Sequence, residues 1–164
     1  MWKKITKTSF TTASSVSIDG CFSAQYTHYL VVRNLLGSSA GNLIQVRLRV
    51  GGADASGADY RRQVVYADST TVAGARATGD TSWTGSLGLT EATAIGFAQL
   101  RISNPFDTVR TTAWASHGYT YTGNIGIESL VYAHDLTTSY DGITVIPAAG
   151  TITGTIRVYG LKAS

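Results

Sequence analysis

Apolar and polar residues alternate with a period of two along most of this chain, whereas the helical period of about 3.6 residues hardly appears. In the stretch "LIQVRLRV", Ile44, Val46 and Leu48 fall on one side and Gln45 and Arg47 on the other. Successive side chains of a β-strand point to opposite faces, so the pattern predicts strands that bury one face. It excludes a fold built on helices.

The alternation predicts an all-β chain, an antiparallel two-sheet β-sandwich that is jelly-roll-like and has about eight strands. The last strand is expected to be paired inside a sheet, because unpaired termini usually fray. The strand segments are 16–18, 26–35, 43–50, 60–67, 94–103, 108–121, 123–135, 142–147 and 151–161. The residues predicted to form the core are Tyr29, Val31, Leu48, Phe97, Ile102, Val145, Ile156 and Val158.

The chain of 164 residues fits a single domain, 1–164, with a short N-terminal arm over about residues 1–12. A domain of this size can bury roughly 70% of its unfolded surface without metal or disulfide support. No internal repeat or linker divides it. Residues 68–91 are rich in glycine and small polar residues, which predicts a long loop, and such loops are usually functional or packed against a partner.

Charged residues make up only 14% of the chain, so hydroxyls and amides must cover much of the surface. The net charge of +3 comes from scattered Lys and Arg without a basic stripe, which argues against a nucleic-acid partner. No apolar run is long enough to span a membrane, and no signal peptide precedes the first strand, so we expect synthesis in a cytoplasm. The single cysteine, Cys21, is expected to be a small buried apolar residue.

Few residues are suited to catalysis. Glu91 and Glu128 are the two glutamates, and the three histidines, His28, His117 and His134, have no metal-ligand spacing and no accompanying nucleophile motif. The "DASGAD" loop has too few oxygen ligands for an EF-hand calcium site. The sequence therefore predicts that the protein is not an enzyme and that it uses no metal or other cofactor.

Aromatic residues are the more suggestive candidates for binding. Trp83 lies in the polar middle segment, and Trp114, Tyr119 and Tyr121 cluster in "WASHGYTY". Exposed aromatic rings beside Asn, Ser and Asp can stack on sugar rings or anchor a protein interface. The alternative is that Trp114 and most tyrosines face the core or a subunit contact.

Several stretches, in order along nearly the whole chain, carry a resemblance to a known family. They are "MWKKITKTSFTTASSVSI", "YTHYLVVRNL", "VRLRV", "ADYRRQVVYADSTT" and the closing "YDGITVIPAAGTITGTIRVYGLK". Together they resemble a diffuse family of bacteriophage virion proteins. The resemblance implies a β-sandwich on the virion exterior, as in tail-fibre or tail-tip modules and in small proteins that stud phage heads, and it implies no catalytic residue.

From the resemblance we expect a non-enzymatic virion structural protein, either a capsid decoration protein of the head or a tail-associated surface subunit. Its expected partners are other copies of itself, as a homotrimer, and phage capsid or tail proteins. The alternative is a tail-fibre or receptor-binding module that recognises a host surface glycan. The chain has no long N-terminal shaft, which favours the first expectation.

Overall fold

The structure is a computed structural model that describes residues 1–93, 96–121 and 124–162. In this part of the chain there are twelve strands and no helix, so the prediction of an all-β chain is confirmed. The strands are β1 Trp2–Ala13, β2 Val16–Ile18, β3 His28–Gly37, β4 Ile44–Val50, β5 Ala53–Asp54, β6 Tyr60–Ala67, β7 Val72–Asp80, β8 Gly96–Ser103, β9 Thr111–Tyr121, β10 Asn124–His134, β11 Gly142–Pro147 and β12 Ile152–Leu161.

The strands form two antiparallel sheets of different width, which confirms the predicted strand direction. The first has eight strands in the order β1, β12, β3, β8, β9, β10, β6, β7, and the second has four in the order β2, β11, β4, β5. Strand β12 pairs with β1 on one side and with β3 on the other, so the last strand is paired inside a sheet as predicted.

Three strands occur where the sequence predicts none. Strand β1 occupies the residues predicted as an arm, β5 is only two residues long, and β7 lies in the segment predicted as a loop. Neither β1 nor β7 shows a clear apolar face, because lysine and threonine fill much of β1 and small residues fill β7. Both are edge strands of the larger sheet, so neither has to bury a whole face.

The buried apolar side chains of both sheets form one hydrophobic core. Seven of the eight residues predicted for the core have no exposed surface: Tyr29, Val31, Leu48, Ile102, Val145, Ile156 and Val158. Phe97 was predicted wrongly, since its side chain is 61% exposed. The reason is the period of two: Ala98, Leu100 and Ile102 of β8 point inward, so Phe97 points outward. The start of the predicted strand, Ala94 and Ile95, lies outside the described residues.

Trp83 joins the two sheets. Its backbone exchanges hydrogen bonds with Val46 of β4, at 2.9 and 3.2 Å, and its indole Nε1 donates to the carbonyl of Ala133 in β10 at 3.1 Å. The ring packs against Tyr60 and Tyr132, each with a centroid distance of 5.9 Å. One fully buried side chain thus contacts the larger sheet while its own backbone pairs with the smaller one.

We expect Trp83→Ala to lower the free energy of unfolding by about 3 to 5 kcal/mol, because it removes the largest buried ring and leaves a cavity. Trp114→Ala is the matched control: its ring is 37% exposed, so we expect a loss of no more than about 1 kcal/mol. Urea denaturation followed by circular dichroism measures both. Equal losses in the two variants would contradict the role given to Trp83.

Candidate functional site

The four aromatic residues predicted for binding lie in different surroundings. Trp83 has no exposed surface, so the prediction that it contacts a glycan or partner is wrong. The polar residues around it suggested a surface loop, but long-range pairing with Val46 places it in the core. Tyr121 ends β9, and its side chain lies outside the described part of the structure. Trp114 and Tyr119 are therefore the two predicted contact residues whose side chains are described and are not fully buried.

Trp114 lies on the outer face of the eight-stranded sheet, which points away from the core. Its direct neighbours across the strands are Val131 of β10 and Arg101 of β8. The Arg101 guanidinium carbon lies 5.2 Å from the centroid of the ring, which is a cation–π contact. Tryptophan and arginine side by side on an exposed face are typical of energetically important positions in protein interfaces.

Trp114 belongs to a set of exposed apolar side chains on five adjacent strands, β6 to β10. We call this set the outer apolar surface; its members are Val65, Val72, Phe97, Trp114, Ile125, Ile127 and Val131. Ile125 is 85% exposed. The sequence pattern missed this surface, because the pattern alone does not show which of the apolar residues of β10 point outward.

A cleft lies on the opposite face of the same sheet, where β6, β7, β9 and β10 meet the segments that carry Leu43 and Leu89. We call it the Tyr119 cleft. It has a volume of about 280 Å³ and is lined by Leu43, Arg62, Val64, Tyr66, Asp68, Ala75, Leu89, Tyr119 and Glu128. An apolar floor with a few convergent polar groups is the usual make-up of a small-molecule site.

Gly126 makes room for the Tyr119 ring. The two residues are paired across β9 and β10, and a Cβ on Gly126 would lie 2.4 Å from Tyr119 Cζ. Any side chain at this position would push the ring away. The pKa of Tyr119 is raised, first by burial and then by the negative charges of Glu128 and Asp68. A tyrosine hydroxyl is protonated at neutral pH in any case, so it can donate a hydrogen bond.

Glu128 is held in place from the core side. Its Oε1 accepts a hydrogen bond from His117 Nε2 at 2.6 Å, and His117 is itself buried. Arg33 secures the adjacent wall, because its guanidinium donates to the carbonyls of Leu87 and Leu89 at 2.5 and 2.6 Å. The cleft is therefore built on fixed groups and not on a free loop.

Other polar residues have structural partners. Arg49 donates to Asp19 at 2.7 Å and also contacts Asp54, which belongs to the "DASGAD" segment considered above as a weak calcium loop. Asp135 lies within ion-pair distance of Arg61, at 2.5 Å, and of Arg110, at 3.1 Å. Burial raises the pKa of the Cys21 thiol to about 12, and the side chain is almost fully buried, as predicted.

Two features are absent from the described residues, 1–93, 96–121 and 124–162. No three His, Cys, Asp or Glu side chains lie close enough together to hold a metal ion. No helix that is long and apolar enough to cross a membrane occurs there.

Comparison with known proteins gave no match among family models, curated proteins or solved structures.

His134 is a core residue. It has no exposed surface, its Nδ1 lies 3.1 Å from the Tyr140 hydroxyl, and its ring lies edge-on to Tyr60 at a centroid distance of 4.4 Å. Burial lowers its pKa below the ordinary value of 6.5, and the nearby carboxylates of Asp59 and Asp135 offset this only in part. The folded protein therefore holds His134 neutral at a pH where the unfolded chain is already protonated.

The contribution of neutral His134 to stability is fully present above pH 6.5 and is lost as the pH falls below that value. We expect His134→Phe to show a smaller drop in the free energy of unfolding between about pH 7.5 and about pH 5 than the wild type. Urea denaturation at the two pH values measures the difference. Val50→Ala, at an exposed residue without a titratable group, is the control and should keep the wild-type dependence. If the free energy of unfolding of His134→Phe fell between the two pH values by as much as that of the wild type, the role given to neutral His134 would be wrong.

Proposed function

We propose that this protein is a non-enzymatic structural protein of a bacteriophage virion, exposed on the particle as a capsid decoration protein of the head or as a tail-associated subunit. The observation that carries the proposal is the outer apolar surface. Soluble chains rarely leave so many large apolar side chains exposed on one face unless a partner covers them. The family resemblance of the sequence supplies the kind of particle.

For the fold, we propose a two-sheet β-sandwich with a jelly-roll-like course of the chain. Three observations support this arrangement: the two sheets share one core, both are antiparallel, and Trp83 links β4 with β10. Such a fold presents a broad sheet face outward, which suits a subunit packed side by side with others.

Arginine side chains accompany the apolar residues on the outer face. Arg61 and Arg76 lie on β6 and β7, and Arg101 lies beside Trp114 on β8. Protein interfaces combine buried aromatic and aliphatic residues with arginine in this way. The neighbouring edge strand β7 has nine residues without lysine or proline, so its backbone can also pair with a neighbour.

The absence of catalysis is part of the proposal. Asp19, Asp54 and Asp135 are engaged by arginines, and Glu128 is held by His117. These carboxylates therefore have partners that account for them without a reaction, and the family resemblance implies no catalytic residue.

A second candidate function is recognition of a host surface glycan, as in a receptor-binding module of a tail. The Tyr119 cleft is the observation that favours it, since it places tyrosine rings and carboxylates around an apolar floor. The two functions are compatible, because the cleft and the outer apolar surface lie on opposite faces of the sheet.

The first test is the presence of the protein in purified phage particles, with its copy number read from a stained gel. Hundreds of copies would support capsid decoration, and a handful would support a place in the tail. Absence from the particles would overturn the virion proposal.

In the same particles, we expect the double variant Ile127→Asp and Val131→Asp to be incorporated at less than about a tenth of the wild-type level, because it places two charges in the contact. Val50→Asp is the matched control: Val50 is also exposed, but it lies at the end of β4 in the smaller sheet. Equal incorporation of both variants would remove the outer apolar surface from the contact.

We further propose that the protein assembles as a homotrimer, because a low surface charge and an exposed apolar face favour self-association. Light scattering should give three times the chain mass of 17.3 kDa at high concentration. A mass that stays at one chain over the whole concentration range would contradict the trimer.

A further inference from the structure

We propose that the Tyr119 cleft binds a single neutral hexopyranose ring, through stacking on tyrosine and hydrogen bonds to two carboxylates. This inference rests on the second candidate function and gives it a site and a ligand class. It does not depend on a place in the virion.

The apolar part of the cleft matches the faces of a sugar ring. Tyr66 and Tyr119 line it as half-buried rings, and Leu43, Val64 and Leu89 supply an aliphatic floor. The C–H groups of a pyranose form an apolar face that packs on aromatic rings. The volume of about 280 Å³ lies at the lower end of ligand sites, which leaves room for one ring and not for a long oligosaccharide.

The polar part of the cleft matches the hydroxyls of the same ring. Asp68 and Glu128 are acceptors, and the Arg62 guanidinium and the Tyr119 hydroxyl are donors. Glu128 already uses Oε1 for His117, which fixes the carboxylate and leaves Oε2 as its second acceptor. Hydrogen bonds to charged groups are the stronger ones, so a few of them suffice to orient a neutral sugar.

The charge of the lining selects among sugars. Two carboxylates face one guanidinium, so a uronic acid or a phosphorylated sugar would bring a further negative charge beside Asp68 and Glu128. The same repulsion disfavours nucleic acid, which needs cations along its phosphates. A neutral hexose has no such penalty.

The cleft stays accessible when the outer face is covered. Glu128 and Ile127 are neighbours on β10, yet Glu128 lines the cleft and Ile127 belongs to the outer apolar surface. Adjacent residues of a strand point to opposite faces, so a subunit docked on one face does not contact the other. A particle-bound subunit would therefore still present its sugar site.

The test is a saturation-transfer NMR titration of the full chain with the methyl glycosides of glucose, galactose and mannose, and with glucuronate as the charged counterpart. We expect at least one neutral glycoside to bind and glucuronate to bind at least tenfold more weakly. Tyr119→Ala should weaken the neutral glycoside at least tenfold. Tyr159→Ala, a half-buried tyrosine on β12, is the matched control and should bind as the wild type does.

A second pair of variants keeps every aromatic side chain in place, so it tests the site without the risk that a lost ring prevents folding. Asp68→Asn keeps the shape of an exposed residue and removes its charge, so we expect the preference for the neutral glycoside over glucuronate to narrow several-fold. Asp107→Asn, in an exposed loop, should leave the preference unchanged.

Three results would overturn the site. They are binding of none of the neutral glycosides, binding of glucuronate at equal strength, and loss of binding in Trp114→Ala with retention in Tyr119→Ala. Release of reducing sugar from a host polysaccharide would instead show that the protein hydrolyses glycans and would overturn the non-enzymatic proposal. Failure of sugar binding in a protein that is present in particles leaves the virion role intact, so the two failures are distinguishable.

Discussion

The burial of Trp83 is the interaction on which the rest of the structure depends. The smaller sheet meets the larger one where the Trp83 backbone pairs with Val46 and the indole donates to Ala133. A buried indole N–H without a partner would carry a desolvation penalty, so this hydrogen bond also fixes the orientation of the ring. Because Tyr60 and Tyr132 pack on the same ring, β6 and β10 are positioned by it as well.

The larger sheet has twice as many strands as the smaller one, and this difference in width leaves room for the cleft. Strands in a sheet lie about 4.8 Å apart, so eight strands span roughly 34 Å and four span roughly 14 Å. A sheet of four strands is therefore too narrow to cover the whole inner face of a sheet of eight. Around β6, β7, β9 and β10 the inward face is left partly open, and polar side chains such as Glu128 and Asp68 can reach solvent there. A concave site arises without any long functional loop.

The sequence predicted an all-β chain with antiparallel strands and most of the core, because burial on one face of a strand leaves a local pattern. Ile156 and Val158 alternate clearly and are buried, and Phe97 shows the limit of the pattern, since an apolar residue can also stand on the outward face. Trp83 could not be placed, because its burial depends on Val46, which is distant in sequence. At the candidate site, Tyr119 was predicted as a contact residue, but the neighbouring carboxylates were not. Asp68 and Glu128 come together only because β6 pairs with β10, and the local pattern does not show this pairing.

The two-sided character of strand β10 has a consequence for how such a chain changes over generations. Its odd-numbered residues belong to one surface and its even-numbered residues to the other, so point substitutions can alter the outer face while the cleft keeps its chemistry. Insertion or deletion of a single residue within the strand acts differently, because it exchanges the two sets and places isoleucine in the cleft and glutamate on the outer face. The outward positions of the strand therefore tolerate a change in identity far more readily than the strand tolerates a change in length.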